Sequence, residues 1–98
     1  MEFETVRDGA RLTVSVSGRL DAQTAPQLAD AMSGMLNGVT QTVFDLDELE
    51  YISSAGLRVL LASYKLMMKR DGVMRVENAK ADVVSVLDAS GFAALYSM

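Results

Sequence analysis

Leu12, Val14 and Val16 alternate with Arg11, Thr13, Ser15 and Ser17, the period of two that gives a β-strand one buried and one exposed face. Asp8-Gly9 supplies a turn back to a short opening strand at 3–6, so an antiparallel pair is predicted, with Gly18 ending its second strand. Thr24 is placed to cap a helix, and Pro26 is tolerated in its first turn, where a missing N–H costs little. Leu28, Met32, Met35 and Leu36 share one face of that helix, and Asn37-Gly38 stops it. A short apolar strand follows at 42–46. Leu57, Leu60, Leu61, Tyr64 and Met68 then fall at i, i+3, i+4, i+7 and i+11, the spacing of a helix buried on one side. Lys65, Lys69 and Arg70 complement the dipole at its C-terminal end, and Asp71-Gly72 terminates it. Residues 73–77 form the next strand. A helix over 80–89 packs Val83, Val84 and Leu87 inward before Ser90-Gly91 breaks it, and the apolar tail 92–98 is too short to classify.

Strands separated by helices predict an α/β domain, because a helix between two strands allows parallel pairing and covers a sheet face. The opening hairpin makes the sheet mixed. At 98 residues, 50% hydrophobic and with a single Pro, the chain supplies one compact core, and a single domain over 1–98 is expected.

Charge and missing residue types narrow the chemistry. A net charge of −4 repels a polyanionic backbone, so a protein or small-molecule partner is expected rather than nucleic acid. Cysteine and histidine are both absent, which removes disulfides, thiolate metal sites and the commonest general base. A serine-histidine triad cannot be assembled, and Ser54-Ala55-Gly56 fails the nucleophile-elbow pattern because Ile52 stands where its first glycine belongs. No glycine-rich nucleotide loop can be read, so no cofactor is expected. Met1-Glu2-Phe3-Glu4 is neither a basic leader nor an apolar run, and no stretch approaches a membrane span. A cytoplasmic protein without membrane insertion is the expectation.

Two features could carry function. Asp45, Asp47, Glu48 and Glu50 form an acidic run at the end of the 42–46 strand. They read as a solvated turn; the alternatives are a Mg²⁺ site on Asp45 and Asp47, or Asp45 oriented toward the next helix N-terminus. Ser53 and Ser54 stand where that helix begins. A hydroxyl there either caps the helix or carries a phosphate, which the free N–H groups and the helix dipole tolerate. Gly56 either lets a partner approach the serines or packs the helix closely on the sheet. Arg58, Lys65 and Lys69 form an exposed stripe that reads as a solvated face and could also guide an acidic partner surface.

Tyr51-Ile52-Ser53-Ser54-Ala55-Gly56-Leu57-Arg58-Val59-Leu60-Leu61, preceded by Val43-Phe44-Asp45-Leu46, resembles the central signature of STAS domains of the anti-sigma factor antagonist family. The resemblance runs from Gly18-Arg19-Leu20-Asp21 through Ser90-Gly91-Phe92. It implies a mixed sheet of four to five strands backed by three to four helices, and a role in partner switching without catalysis. In such systems the unphosphorylated antagonist binds an anti-sigma factor with serine kinase activity. Phosphorylation ends the binding, and a PP2C-type phosphatase restores it.

The resemblance makes Ser54 the phosphoacceptor, in preference to Ser53, which stands where the family often has Asp. It makes Asp21 the loop aspartate beside that serine. The partner surface it implies comprises Asp21, Ser53, Ser54, Ala55, Gly56 and Arg58, with the free protein a monomer. Many relatives continue through a final strand and helix where this chain stops after Leu95-Tyr96. The rival reading is a STAS-like subunit docked constitutively on a transporter or other assembly, with Ser54 only a helix cap.

Overall fold

A computed structural model describes residues 1–91, arranged as one α/β unit. Strands β1 (Glu2–Asp8) and β2 (Arg11–Leu20) form the antiparallel hairpin. Helix α1 (Ala25–Met35) leads to β3 (Gln41–Asp45), β4 (Leu49–Ile52), helix α2 (Ser54–Lys69), β5 (Val73–Glu77) and helix α3 (Ala81–Ala89). The sheet runs β1-β2-β3-β5, with β4 paired to β2, and every pairing except the hairpin is parallel. The apolar tail read at 92–98 lies outside the described residues.

Alternation builds the core. Leu12, Val14 and Val16 of β2, Phe44 of β3, and Met74 and Val76 of β5 are all buried in one cluster with Leu28 and Met32 of α1, Leu60 and Met67 of α2, and Val83 and Leu87 of α3. The other sheet face carries Glu2, Glu4, Ser15, Ser17, Asp45, Arg75 and Glu77, exposed or half-buried, around a buried Val43.

Four expectations need correction. Gly18 does not end β2: it sits at φ +81 at a register shift, and the strand continues to Leu20. Its N–H bonds the Glu48 carbonyl at 3.0 Å, so the glycine turns one strand from pairing β3 to pairing β4. The acidic turn after β3 contains a strand, β4, whose burial runs buried, exposed, exposed, buried. Four residues without alternation give no period-two signal.

In α2 the buried methionine is Met67, while Met68 is 51% exposed, because the buried stripe is centred on Gly56, Leu60, Ser63 and Met67, and the line from Leu57 to Met68 runs along its edge. Thr24 occupies the N-cap position of α1 with helical backbone and makes no capping bond. Its hydroxyl is engaged on the preceding loop.

Candidate functional site

Parallel pairing of Leu20 with Ile52 brings the ends of β2 and β4 side by side. The Ser53 N–H donates to the Leu20 carbonyl at 2.9 Å, so the residues that leave each strand, Asp21 on one and Ser53-Ser54 on the other, form one corner.

The helix cap, which the sequence left open between the two serines, falls to one of them. Ser53 is the N-cap of α2, with extended backbone, and its hydroxyl accepts from the Gly56 N–H at 3.4 Å. Ser54 is the first helical residue. It is exposed, and its hydroxyl makes no hydrogen bond among the described residues. A group attached there would stand beside the free N–H groups of the first turn, at the positive end of a 16-residue helix.

Gly56 resolves toward packing. A methyl group in its place would lie 2.8 Å from both Leu20 Cγ and the Leu20 carbonyl oxygen, and 2.9 Å from Ile52 Cγ1. The missing side chain therefore seats α2 against the two strand ends. Ala55 is half-buried beside the core, whereas Arg58, one turn beyond Ser54, is exposed, as are Lys65 and Lys69 further along the helix.

On the other strand, Asp21 closes a tight loop. Its Oδ1 accepts from the N–H groups of Gln23 at 3.0 Å and Thr24 at 3.2 Å. The Thr24 hydroxyl accepts from the Asp21 N–H at 2.9 Å, and its one proton is shared between the Arg19 carbonyl at 2.9 Å and Asp21 Oδ1 at 3.2 Å. Arg19 lies with its guanidinium carbon 4.2 Å from the Tyr51 ring centroid and its Nε 4.0 Å from Asp21 Oδ2. Partial desolvation pushes the Asp21 carboxyl up. The Gln23 and Thr24 N–H groups, the Thr24 hydroxyl and the Arg19 guanidinium outweigh it and hold the group below its ordinary range.

Arg19, Thr24 and Tyr51 are the members of this corner that sequence reasoning missed. The signal for Thr24 was its place three residues after an aspartate, the spacing at which short polar side chains close a turn on each other's backbone. Nothing in the sequence pairs Arg19 with Tyr51, because their contact depends on the β2–β4 register.

Asp45 does not approach the α2 N-terminus as considered above. Its Oδ1 accepts from the Asp47 N–H at 3.1 Å and from the Asn78 side-chain amide at 3.2 Å. Asp45, Asp47 and Glu48, with Glu2 and Glu4, line an open cavity of about 280 Å³ that shares no residue with the Asp21–Ser54 corner. Among the described residues no group of three or more carboxylates is arranged to hold a metal ion. No described helix is long and apolar enough to cross a membrane.

Comparison with known proteins agrees with this architecture. The family described as "Mlab, STAS domain" matches residues 3–97. The anti-sigma F factor antagonist of Paenibacillus polymyxa is 33% identical over 93 residues, covering 93% of this chain and 80% of that protein. A solved anti-sigma factor antagonist from Mycobacterium paratuberculosis superposes with a TM-score of 0.75 at 27% identity, over 99% of this chain and 86% of that one. The Bacillus cell fate determinant SpoIIAA in its phosphorylated form shares the fold, with a TM-score of 0.80 at 17% identity over 97% and 88% of the two chains. The chain belongs to the STAS-domain family of anti-sigma factor antagonists.

Proposed function

We propose that this protein is a partner switch: unphosphorylated, it binds an anti-sigma factor with serine kinase activity, and phosphorylation of Ser54 releases it. A PP2C-type phosphatase resets the cycle. The protein acts in the cytoplasm, is a monomer when free, and supplies the substrate hydroxyl while its partner supplies the catalysis. The observation that carries this reading is the division between the two serines: Ser53 caps α2, and Ser54 stands exposed with an uncommitted hydroxyl.

A phosphate on Ser54 would sit at the helix end that favours anions, so the fold accommodates it. The same dianion at the centre of a contact surface is costly, since burying an unpaired charge takes several kcal/mol and about 4 kcal/mol is a thousandfold in affinity. The contact surface in this reading spans Asp21, Ser53, Ser54, Ala55, Gly56 and Arg58. Asp21 and Arg58 are its charged members, and Gly56 acts from beneath by seating the helix.

The test combines the protein with the anti-sigma-factor-type serine kinase of its host and ATP. Intact-mass and fragment analysis should place one phosphate on Ser54, and Ser54→Ala should remove it. Ser54→Asp should lower affinity for the kinase about a thousandfold while leaving the fold unchanged. Equal binding by Ser54→Asp, or protein from the native host that is never phosphorylated at Ser54 yet remains assembled, would replace the switch with a constitutively docked subunit.

A further inference from the structure

We infer that Thr24 is a positioning residue for partner binding: its hydroxyl locks the loop that carries Asp21 and thereby fixes the carboxylate at the corner where the end of β2 meets the start of α2. This rests on the proposed docking role of Asp21 and assigns the side chain that makes the role possible.

The hydroxyl of Thr24 closes the loop from both sides. It accepts from the Asp21 N–H and donates to the Arg19 carbonyl, each at 2.9 Å, so the residues on either side of Leu20 are tied to one oxygen. The Thr24 N–H returns to Asp21 Oδ1 at 3.2 Å, reciprocating the contact. With the Gln23 N–H at 3.0 Å and the Thr24 hydroxyl at 3.2 Å also on Oδ1, that oxygen is committed to the loop. Among the described residues Oδ2 has only the distant Arg19 Nε at 4.0 Å, and Arg19 itself rests on Tyr51.

The Asp21 carboxylate is thus divided, with one oxygen holding the turn and the other available to a donor. Fixing a group in its bound geometry before encounter removes an ordering cost from association. Thr24 is half-buried and caps nothing, although it occupies a position where a capping hydroxyl was available. The loop, not the helix, uses its side chain.

The experiment compares Thr24→Val, Thr24→Ser and Asp21→Asn in the full chain. Two readouts are taken: the pH titration of the Asp21 carboxyl by carbon-detected NMR, and affinity for the unphosphorylated-form partner, the host serine kinase with a non-hydrolysable ATP analogue. Thr24→Val should move the Asp21 titration toward the ordinary carboxylate range and weaken binding about tenfold. Thr24→Ser, which keeps the hydroxyl, should restore both.

A purely structural Thr24 would lower thermal stability in both variants without moving the titration, and that result overturns the inference. Binding unchanged in Thr24→Val while Asp21→Asn weakens it overturns the inference and spares the docking role. Binding unchanged in Asp21→Asn overturns the docking role itself, and the inference falls with it.

Discussion

Asp21 and Asp45 begin as equivalent residues. Asp21 follows β2 and Asp45 ends β3, and each accepts the N–H two residues ahead on Oδ1, at 3.0 Å for Asp21 and 3.1 Å for Asp45. They diverge in what the rest of the chain brings to them. Asp45 is joined by Asn78, just after β5, so its carboxylate ties two neighbouring strand ends together. Asp21 is joined by Thr24 from its own loop and by Arg19 of β2, and the residue before it, Leu20, is bonded to Ser53 at the start of α2. One aspartate fastens the sheet and the other furnishes a corner. The local turn chemistry is the same, so the difference in role comes from topology.

The sharpest way to break this contrast is to push the Asp21 corner apart. Gly56→Ala places a methyl group against the Leu20 carbonyl, which cannot move without disturbing its bond to Ser53. Overpacking of about 3 kcal/mol, offset by about 1 kcal/mol of helix propensity, predicts a net loss of about 2 kcal/mol in chemical denaturation. Amide shifts should change at residues 18–21 and 51–57 and leave the Asp45–Asn78 tie in place. Shifts spread evenly over both regions would mean that the two corners are one mechanical unit.

A smaller effect separates the two carboxylates directly. Asp21→Asn is expected to weaken binding of the host serine kinase about tenfold, as loss of a charge-assisted contact implies. Asp45→Asn should leave that affinity within about twofold and act on stability instead. Isothermal titration with each variant measures the ratio, and equal losses would erase the distinction.

Ser53 and Ser54 are distinguished on a smaller scale again. Ser53→Ala removes the cap and should cost about 1 kcal/mol, the lower part of the usual range given a bond of 3.4 Å. Ser54→Ala should lie within about 0.5 kcal/mol of the parent, since the exposed hydroxyl has no protein partner among the described residues. Reversed values in urea denaturation would exchange the roles of the two serines.

The finest effect is one of pH. The Asp21 carboxyl is held below its ordinary range, so the folded state binds its proton less readily than the unfolded chain. Its contribution to stability is present above the unfolded-state pKa and is lost as pH falls through the lower folded-state value. Asp21→Asn should therefore flatten the acid limb of a stability–pH curve. A curve of unchanged slope would place the acid sensitivity elsewhere.

The sequence exposed the parts of this protein whose signals are periodic. β2, the buried face of α1, Val83 and Leu87 of α3, and the boundaries of β5 follow from alternation and from the 3.6-residue repeat, whereas Val86 and not Val84 completes the α3 contact. β4 was hidden because four residues with buried ends and an exposed middle resemble a turn. Gly18 misled in the same region, since a glycine that bends a strand and one that ends it look alike before the partner strand is known.

The candidate site was legible to a different degree. Resemblance supplied Asp21 and preferred Ser54. The residues themselves gave only a hydroxyl at a helix start, and which serine caps depended on where the helix begins. The Thr24 bonds and the Arg19–Tyr51 stack were illegible because both are set by how the chain turns after β2 and by the β2–β4 pairing.

The β2–β4 pairing also decides what kind of object a partner can recognise. Leu20 meets Ile52 only after α1, β3 and the turn beyond it have been placed between them. In the proposed contact surface, Asp21 and Ser54 are therefore halves of a conformational epitope with no linear equivalent. A peptide carrying the serine segment alone lacks the other half, and a partially folded chain presents neither half in register. Any protein that reads this corner reads the completed fold along with it.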